Sequence, residues 1–294
     1  MSKPMILVTG ATGKTGSQVV KQLLEKDFPV RAFVRRRDER SERLEALGAK
    51  VVLGDFLDLA SVRAAMQGVK RVYFCYTPEG DHLLEAATYM AVAARDTGVD
   101  AVVNMSQISA REKASSALAR HHWLSENVLD WANIGASHIH PTYFAENLYL
   151  LNSRSIAEEG KIYLPYGDER HAPVAAEDIA RVVVGILADP EPHVGQHYVL
   201  TGPRNMTIAE MAEVFTKVLG KPIKYVNLPI EQWRSILMEK GGIPEFLANH
   251  LAHVAQDHQD GVFSAKTDIV ERIGERPPQS LEDFIRANLK AFGA

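Results

Sequence analysis

Two apolar rhythms alternate along the first half of the chain. Short runs rich in β-branched residues fall at 5–9, 29–35, 50–54, 70–76, 101–106 and 137–142. They are apolar throughout rather than at every second position, which predicts strands covered on both faces. Between them the spacing turns helical: Val19, Val20, Leu23 and Leu24 recur at the helical period within 14–26. The same reading predicts helices over 39–47, 58–67, 81–97 and 115–133. Strands and amphipathic helices in strict alternation predict an α/β fold, a doubly wound parallel sheet of Rossmann type.

After Pro141 the alternation breaks down. Residues 143–160 are aromatic-rich and helical in spacing, and 160–174 (GKIYLPYGDERHAPV) is expected to be a turn-rich loop. A helix over 176–188 and a strand over 197–200 return to the sheet, followed by a helix over 207–219, a strand over 223–228 and further helices. The expected organisation is therefore two lobes. Residues 1–142 with 174–200 build the sheet domain, and 143–173 with 201–294 build a smaller, mainly helical substrate lobe.

Composition narrows the class. The 294 residues are 46% hydrophobic and 24% charged with a formal net charge of −4, ordinary for a globular protein and without the basic excess expected of a nucleic-acid binder. One cysteine, Cys75, lies in an apolar run, so no disulfide framework exists and a reducing cytoplasm is the expected location. No apolar run has the length of a membrane span. The pair His250 and His253 lacks the H-E-x-x-H pattern of a helical zinc site, and His138 and His140 share one face of a strand, where packing with hydrogen bonds is the default. No metal is expected.

The first strand runs into Gly10-Ala11-Thr12-Gly13-Lys14-Thr15-Gly16 and then a helix. In that context Gly10 permits the tight turn, Gly13 lets backbone N–H groups approach a pyrophosphate, and Gly16 lets helix and strand pack closely. The helix N-terminus adds unpaired N–H donors and partial positive charge. The G-x-x-G-x-x-G spacing resembles the extended and atypical short-chain dehydrogenase/reductases. The resemblance is nearer to the NmrA-like branch and covers essentially the whole chain, through Val8-Thr9-Gly10-Ala11-Thr12-Gly13, Gly54-Asp55-Phe56, Asn104-Met105-Ser106-Gln107, His140-Pro141-Thr142-Tyr143-Phe144-Ala145-Glu146-Asn147 and Ala176-Glu177-Asp178-Ile179-Ala180.

That resemblance implies a dinucleotide whose adenosine ribose lies beside the end of the second strand. There an acidic residue would select NAD, but the chain has Arg35, with Arg36 and Arg37 following. A guanidinium suits a ribose 2′-phosphate, so NADPH is the expected cofactor, with Lys14 a further cation near the phosphates. By the same resemblance Asp55 and Phe56 hold the adenine, and Tyr76 and Thr77 line the nicotinamide half. Asp55 serves equally well as the N-cap of the helix at 58–67.

The reductase dyad Tyr-x-x-x-Lys is absent, since no tyrosine stands between Tyr89 and Tyr143 and no lysine between Lys113 and Lys161. Ser106 matches the family's serine position. His121 and His122 on the following helix are the substitute proton donors, with Glu126 one turn on expected to keep His122 protonated. The alternative places His121 in the core and His122 at the surface. A Ser–His–Asp hydrolase reading is disfavoured because G-x-S-x-G is missing around Ser106. Tyr143, Phe144, Asn147, Tyr163 and Trp233 are candidates for the substrate pocket, each aromatic serving as well in the core. The implied activity is flavin-independent hydride transfer from NADPH to a small electron-poor aromatic such as a quinone or azo compound. The competing reading is an NADP(H)-binding redox sensor without turnover. Either would be a monomer or homodimer.

Overall fold

The computed structural model describes residues 3–76 and 81–293. Seven strands form one parallel sheet: β1 (Ile6–Val8), β2 (Val30–Val34), β3 (Lys50–Leu53), β4 (Arg71–Phe74), β5 (Ala101–Met105), β6 (Ala136–Pro141) and β8 (His197–Leu200). Their order is β3-β2-β1-β4-β5-β6-β8. The chain winds one way from β1 to β3 and the other way from β4 onward, so the connections part between β1 and β4 and leave a crevice at the carboxyl edge.

Helices cover both faces, because strands apolar throughout need both covered. On one face α1 (Lys14–Glu25) and α7 (Ala176–Ala188) pack Val19, Val20, Leu23, Ile179 and Val183 against the sheet. On the other, α3 (Leu59–Met66), α4 (Leu83–Thr97) and α5 (Ala117–Trp131) supply Val62, Met66, Ala87, Met90, Leu118 and Leu129. The helix α2 (Glu39–Ala46) follows the arginine run and is started by Asp38, whose carboxylate accepts from Arg40 N and Ser41 N. This is the doubly wound sheet that the periodicity predicts.

A third core belongs to α6 (Asn147–Glu159), α8 (Ile208–Leu219), α9 (Ile230–Glu239), α10 (Glu245–Gln259) and α12 (Leu281–Ala287). The 160–174 stretch, expected as loop throughout, contains β7 (Lys161–Leu164), which pairs in parallel with β9 (Lys224–Asn227). Four residues bounded by Gly160 and Pro165 are too few for periodicity to mark, and the partner lies some sixty positions on. The short helix α11 (Ile269–Gly274) lies within 201–294, yet its Val270 and Ile273 pack in the core around α7. Among the described residues no helix is long and apolar enough to cross a membrane.

Candidate functional site

The carboxyl ends of β1 to β4 enclose a cleft of about 220 Å³ lined by Gly10, Ala11, Thr12, Arg35, Arg36, Arg40, Asp55, Phe56 and Tyr76 among others. Gly10 adopts φ +56°, and a Cβ on Gly16 would lie 2.2 Å from Gly10 O. Side chains are thus excluded by backbone, not by a neighbour able to rotate. The Gly13 N–H closes the turn on Gly10 O at 2.9 Å. Gly13 is the N-cap of α1 and brings no side chain to the helix's first N–H groups. A bare helix start at the mouth of a cleft is an anion-binding arrangement.

The arginines divide. Arg35 and Arg36 are exposed and line the cleft. Arg37 turns away into a bidentate pair with Glu45 at 2.8 and 3.2 Å. Arg40 takes its place at the rim, bonded to Asp38. Sequence reasoning missed Arg40, because a helix expected over 39–47 does not by itself say that its first turn borders the cleft. Asp55 is not the helix N-cap: Asp58 fills that role, accepting from Ala60 N at 3.0 Å. Asp55 instead accepts from Leu57 N at 2.9 Å and stays exposed in the cleft. Phe56 sits edge-on to Phe33, Phe74 and Tyr76, with centroids 4.9, 5.7 and 5.8 Å away, and forms an aromatic floor. Thr77 lies outside the described residues.

Lys14 reaches across to α6. Its ammonium lies 5.1 Å from the centre of the Tyr149 ring. Nearby, Glu146 Oε1 accepts from Ala176 N at 3.0 Å and so caps α7, while Oε2 is buried without a hydrogen-bond partner among the described residues. Burial raises the Glu146 pKa, and Lys14 partly opposes that. The sequence motif contained Glu146, but nothing in it revealed a cap for a helix thirty residues away. Asp178 lies in the first turn of α7. It pairs with Arg181 and accepts from Gln279 N at 2.7 Å, tying α7 to the C-terminal segment.

Past β5 the chemistry differs from expectation. Ser106 is buried, and its hydroxyl donates to Glu126 rather than to a histidine. Glu126 Oε1 is also 2.8 Å from His140 Nε2. Burial alone would raise the Glu126 pKa, but the His140 and Ser106 hydrogen bonds hold it below the usual carboxylate value. The carboxylate is therefore engaged elsewhere and does not keep His122 charged. Burial, reinforced by His250, pushes His122 down to about 3, against the opposing pull of Glu126. His121 Nδ1 stands 2.8 Å from Asp81 Oδ1, and its side chain is 23% exposed. Tyr143 and Trp233, at 1% and 3% exposure, belong to the third core. Phe144 and Asn147 are half-buried, and half-buried Tyr163 donates its hydroxyl to Glu159 at 2.8 Å.

A doubly wound sheet with a bare glycine turn and an arginine-rimmed cleft at its switch point defines a nucleotide-binding α/β protein of the short-chain dehydrogenase/reductase kind. The family is narrower still. Residues 2–284 match the NmrA-like family, and the chain belongs to it. It is 32% identical over 292 residues to an NAD(P)H azoreductase from Xenophilus azovorans, covering 99% of this chain and all of that one. The structure of an NADPH-dependent quinone oxidoreductase from Escherichia coli complexed with NADPH is similar with a TM-score of 0.86 at 26% identity, covering 97% of this chain and all of that one. A Citrobacter triphenylmethane reductase complexed with NADP(H) gives 0.84 at 26% identity, covering 96% and 99%.

Proposed function

We propose that this protein is a flavin-independent oxidoreductase that binds NADPH and reduces a small, planar, electron-poor aromatic acceptor such as a quinone or azo compound. The observation carrying the proposal is the cleft that Gly10, Ala11 and Thr12 of the glycine turn line together with Arg35, Arg36 and Arg40. The turn and the start of α1 bind the diphosphate through N–H donors. The guanidinium groups of Arg35 and Arg36, with Arg40 at the rim, bind the ribose 2′-phosphate by charge-assisted hydrogen bonds. Phe56 offers the adenine a ring and Asp55 an acceptor for its amino group. When bound, the nicotinamide supplies the hydride.

What the chain adds at the reacting end is positioning more than acid catalysis. His122 is neutral at pH 7 because burial sets its pKa near 3. The proton of Ser106 is directed at an anionic Glu126 and away from any acceptor. Neither is a ready proton donor, which leaves His121 and water. Acceptors whose reduced anions are weak bases, as those of quinones are, need no strong acid, whereas an unactivated ketone does. The supporting likenesses to azo, quinone and dye reductases point the same way. The test follows NADPH oxidation against a panel of quinones, azo dyes and triphenylmethane dyes. Turnover with at least one class is expected. NADPH binding with no oxidation across the panel would replace the enzyme reading with that of a redox sensor.

A further inference from the structure

The edge of the sheet carries a second constellation that shares only Glu126 with the reductase reading. Strand alternation puts His138 and His140 of β6 on one face, and the parallel register sets His197 of β8 opposite His138. Glu126 and Asp130, one helical turn apart on α5, lie against the same face. Three histidines and two carboxylates drawn from three elements thus meet in one place. We propose that His140, His197 and Glu126 form a binding site for a divalent transition-metal ion of the zinc class.

The geometry is close to what such an ion needs. The ligand atoms of the three residues lie within 4.8 Å of one another. His140 Nε2 is 2.8 Å from Glu126 Oε1, and His197 Nδ1 is 3.6 Å from Glu126 Oε2. Tetrahedral coordination at about 2.0 Å sets neighbouring ligand atoms about 3.3 Å apart, so an ion requires the His140 contact to open by about 0.5 Å and His197 to turn toward the ligating oxygen. The larger movement falls on His197, whose side chain is 44% exposed, while Glu126 and His140, at 5% and 13%, need only separate slightly. Two imidazoles and one carboxylate suit zinc, nickel or copper rather than magnesium or calcium, which take oxygen ligands. A fourth position remains for water, and there is a way in: Glu126, His140 and His197 line an open depression of about 380 Å³.

The neighbouring set of Asp130, His138 and His197 is equally compact, but His138 is fully buried and spends both ring nitrogens on Asn104 and Asp130, each at 3.0 Å. Its ring packs against that of His197, with centroids 4.7 Å apart. Contiguous motifs cannot reveal this set, because its members stand at positions 126, 140 and 197 and only the β6–β8 register joins them. The proposal is independent of the dinucleotide reading, although the two meet at Glu126. A metal drawing on that carboxylate competes with the hydrogen bond from Ser106.

The experiment titrates the full chain, free of any polyhistidine tag, with cobalt(II) and follows visible ligand-field absorption, then displaces cobalt with zinc. The expected result is one equivalent of cobalt per chain in tetrahedral coordination. His197→Ala should bind more than about 100-fold more weakly, beyond the 10–100-fold that loss of an outer-shell partner costs. His140→Ala should behave alike, and His253→Ala, on the exposed face of α10, should match the wild type. Nitrogen-15 spectra of the wild-type histidine rings give a reading that needs no variant: zinc should shift His140 and His197. Absence of saturable cobalt binding, unchanged affinity in His197→Ala, or zinc shifts confined to other rings would each overturn the proposal.

Discussion

Lowering the pH from 8 to 5 should destabilise this protein, and one histidine should account for a measurable part of the loss. His171 is fully buried, its Nδ1 is 3.3 Å from Nδ1 of His258, and Nε2 has no hydrogen-bond partner among the described residues. His258 is itself stacked between Tyr166 and Phe263, with centroids 3.8 and 3.6 Å away. Two imidazoles meeting nitrogen to nitrogen have room for one proton between them, and charging either puts an unpaired cation among aromatic rings. Burial accordingly pushes His171 down to about 4 from 6.5, and burial with His171 alongside pushes His258 well below its usual value. Because the unfolded chain binds protons more tightly, stability is fully present above about pH 6.5 and is lost as the pH falls toward 4. At pH 5 the loss from His171 alone is about 2 kcal/mol. Urea unfolding at pH 8, 7, 6 and 5 measures it. In His171→Leu the difference in unfolding free energy between pH 8 and pH 5 should shrink by at least about 2 kcal/mol. A variant as acid-sensitive as the wild type would refute the reasoning.

Other outcomes follow from single contacts. Gly16→Ala sets a Cβ 2.2 Å from Gly10 O, and a backbone shift of about 1–3 kcal/mol should weaken NADPH roughly 10–100-fold by calorimetry. Arg37→Ala should leave NADPH affinity unchanged within a factor of about two, since its guanidinium is committed to Glu45; a larger loss would put Arg37 in the cleft. Arg181 is buried and bonds Asp178 with the carbonyls of Gly274, Arg276 and Pro277. Arg181→Met should cost about 3–5 kcal/mol in unfolding free energy by leaving the Asp178 carboxylate unpaired.

The parts of this molecule written in local pattern were legible from the sequence. Strands apolar on both faces and helices with one apolar stripe announce the parallel sheet, and the glycine turn announces itself because each glycine answers a local steric demand. The parts set by distant pairing were not. β7 is too short to show a period, and only its pairing with β9, which falls within the strand expected at 223–228, establishes it. Asp55 is a plausible cap on paper for a helix expected over 58–67, and the actual helix start at Leu59 gives that role to Asp58. The i, i+4 relation of His122 and Glu126 is real, but Ser106 and His140 claim that carboxylate across the sheet. Trp233 and Tyr143 read as pocket or core from sequence, and packing put both inside the third core.

The central claim is that the glycine turn and the arginines beside it bind a dinucleotide carrying a 2′-phosphate, and paired titrations of NADPH and NADH against wild type and Arg35→Ala test it most directly. The wild type should bind NADPH far more tightly than NADH. Arg35→Ala should lose roughly 10–150-fold for NADPH, the equivalent of about 1.5–3 kcal/mol for a hydrogen bond to a charged group, with NADH almost unaffected. Equal losses for the two dinucleotides, or no binding of either to the wild type, would contradict the account.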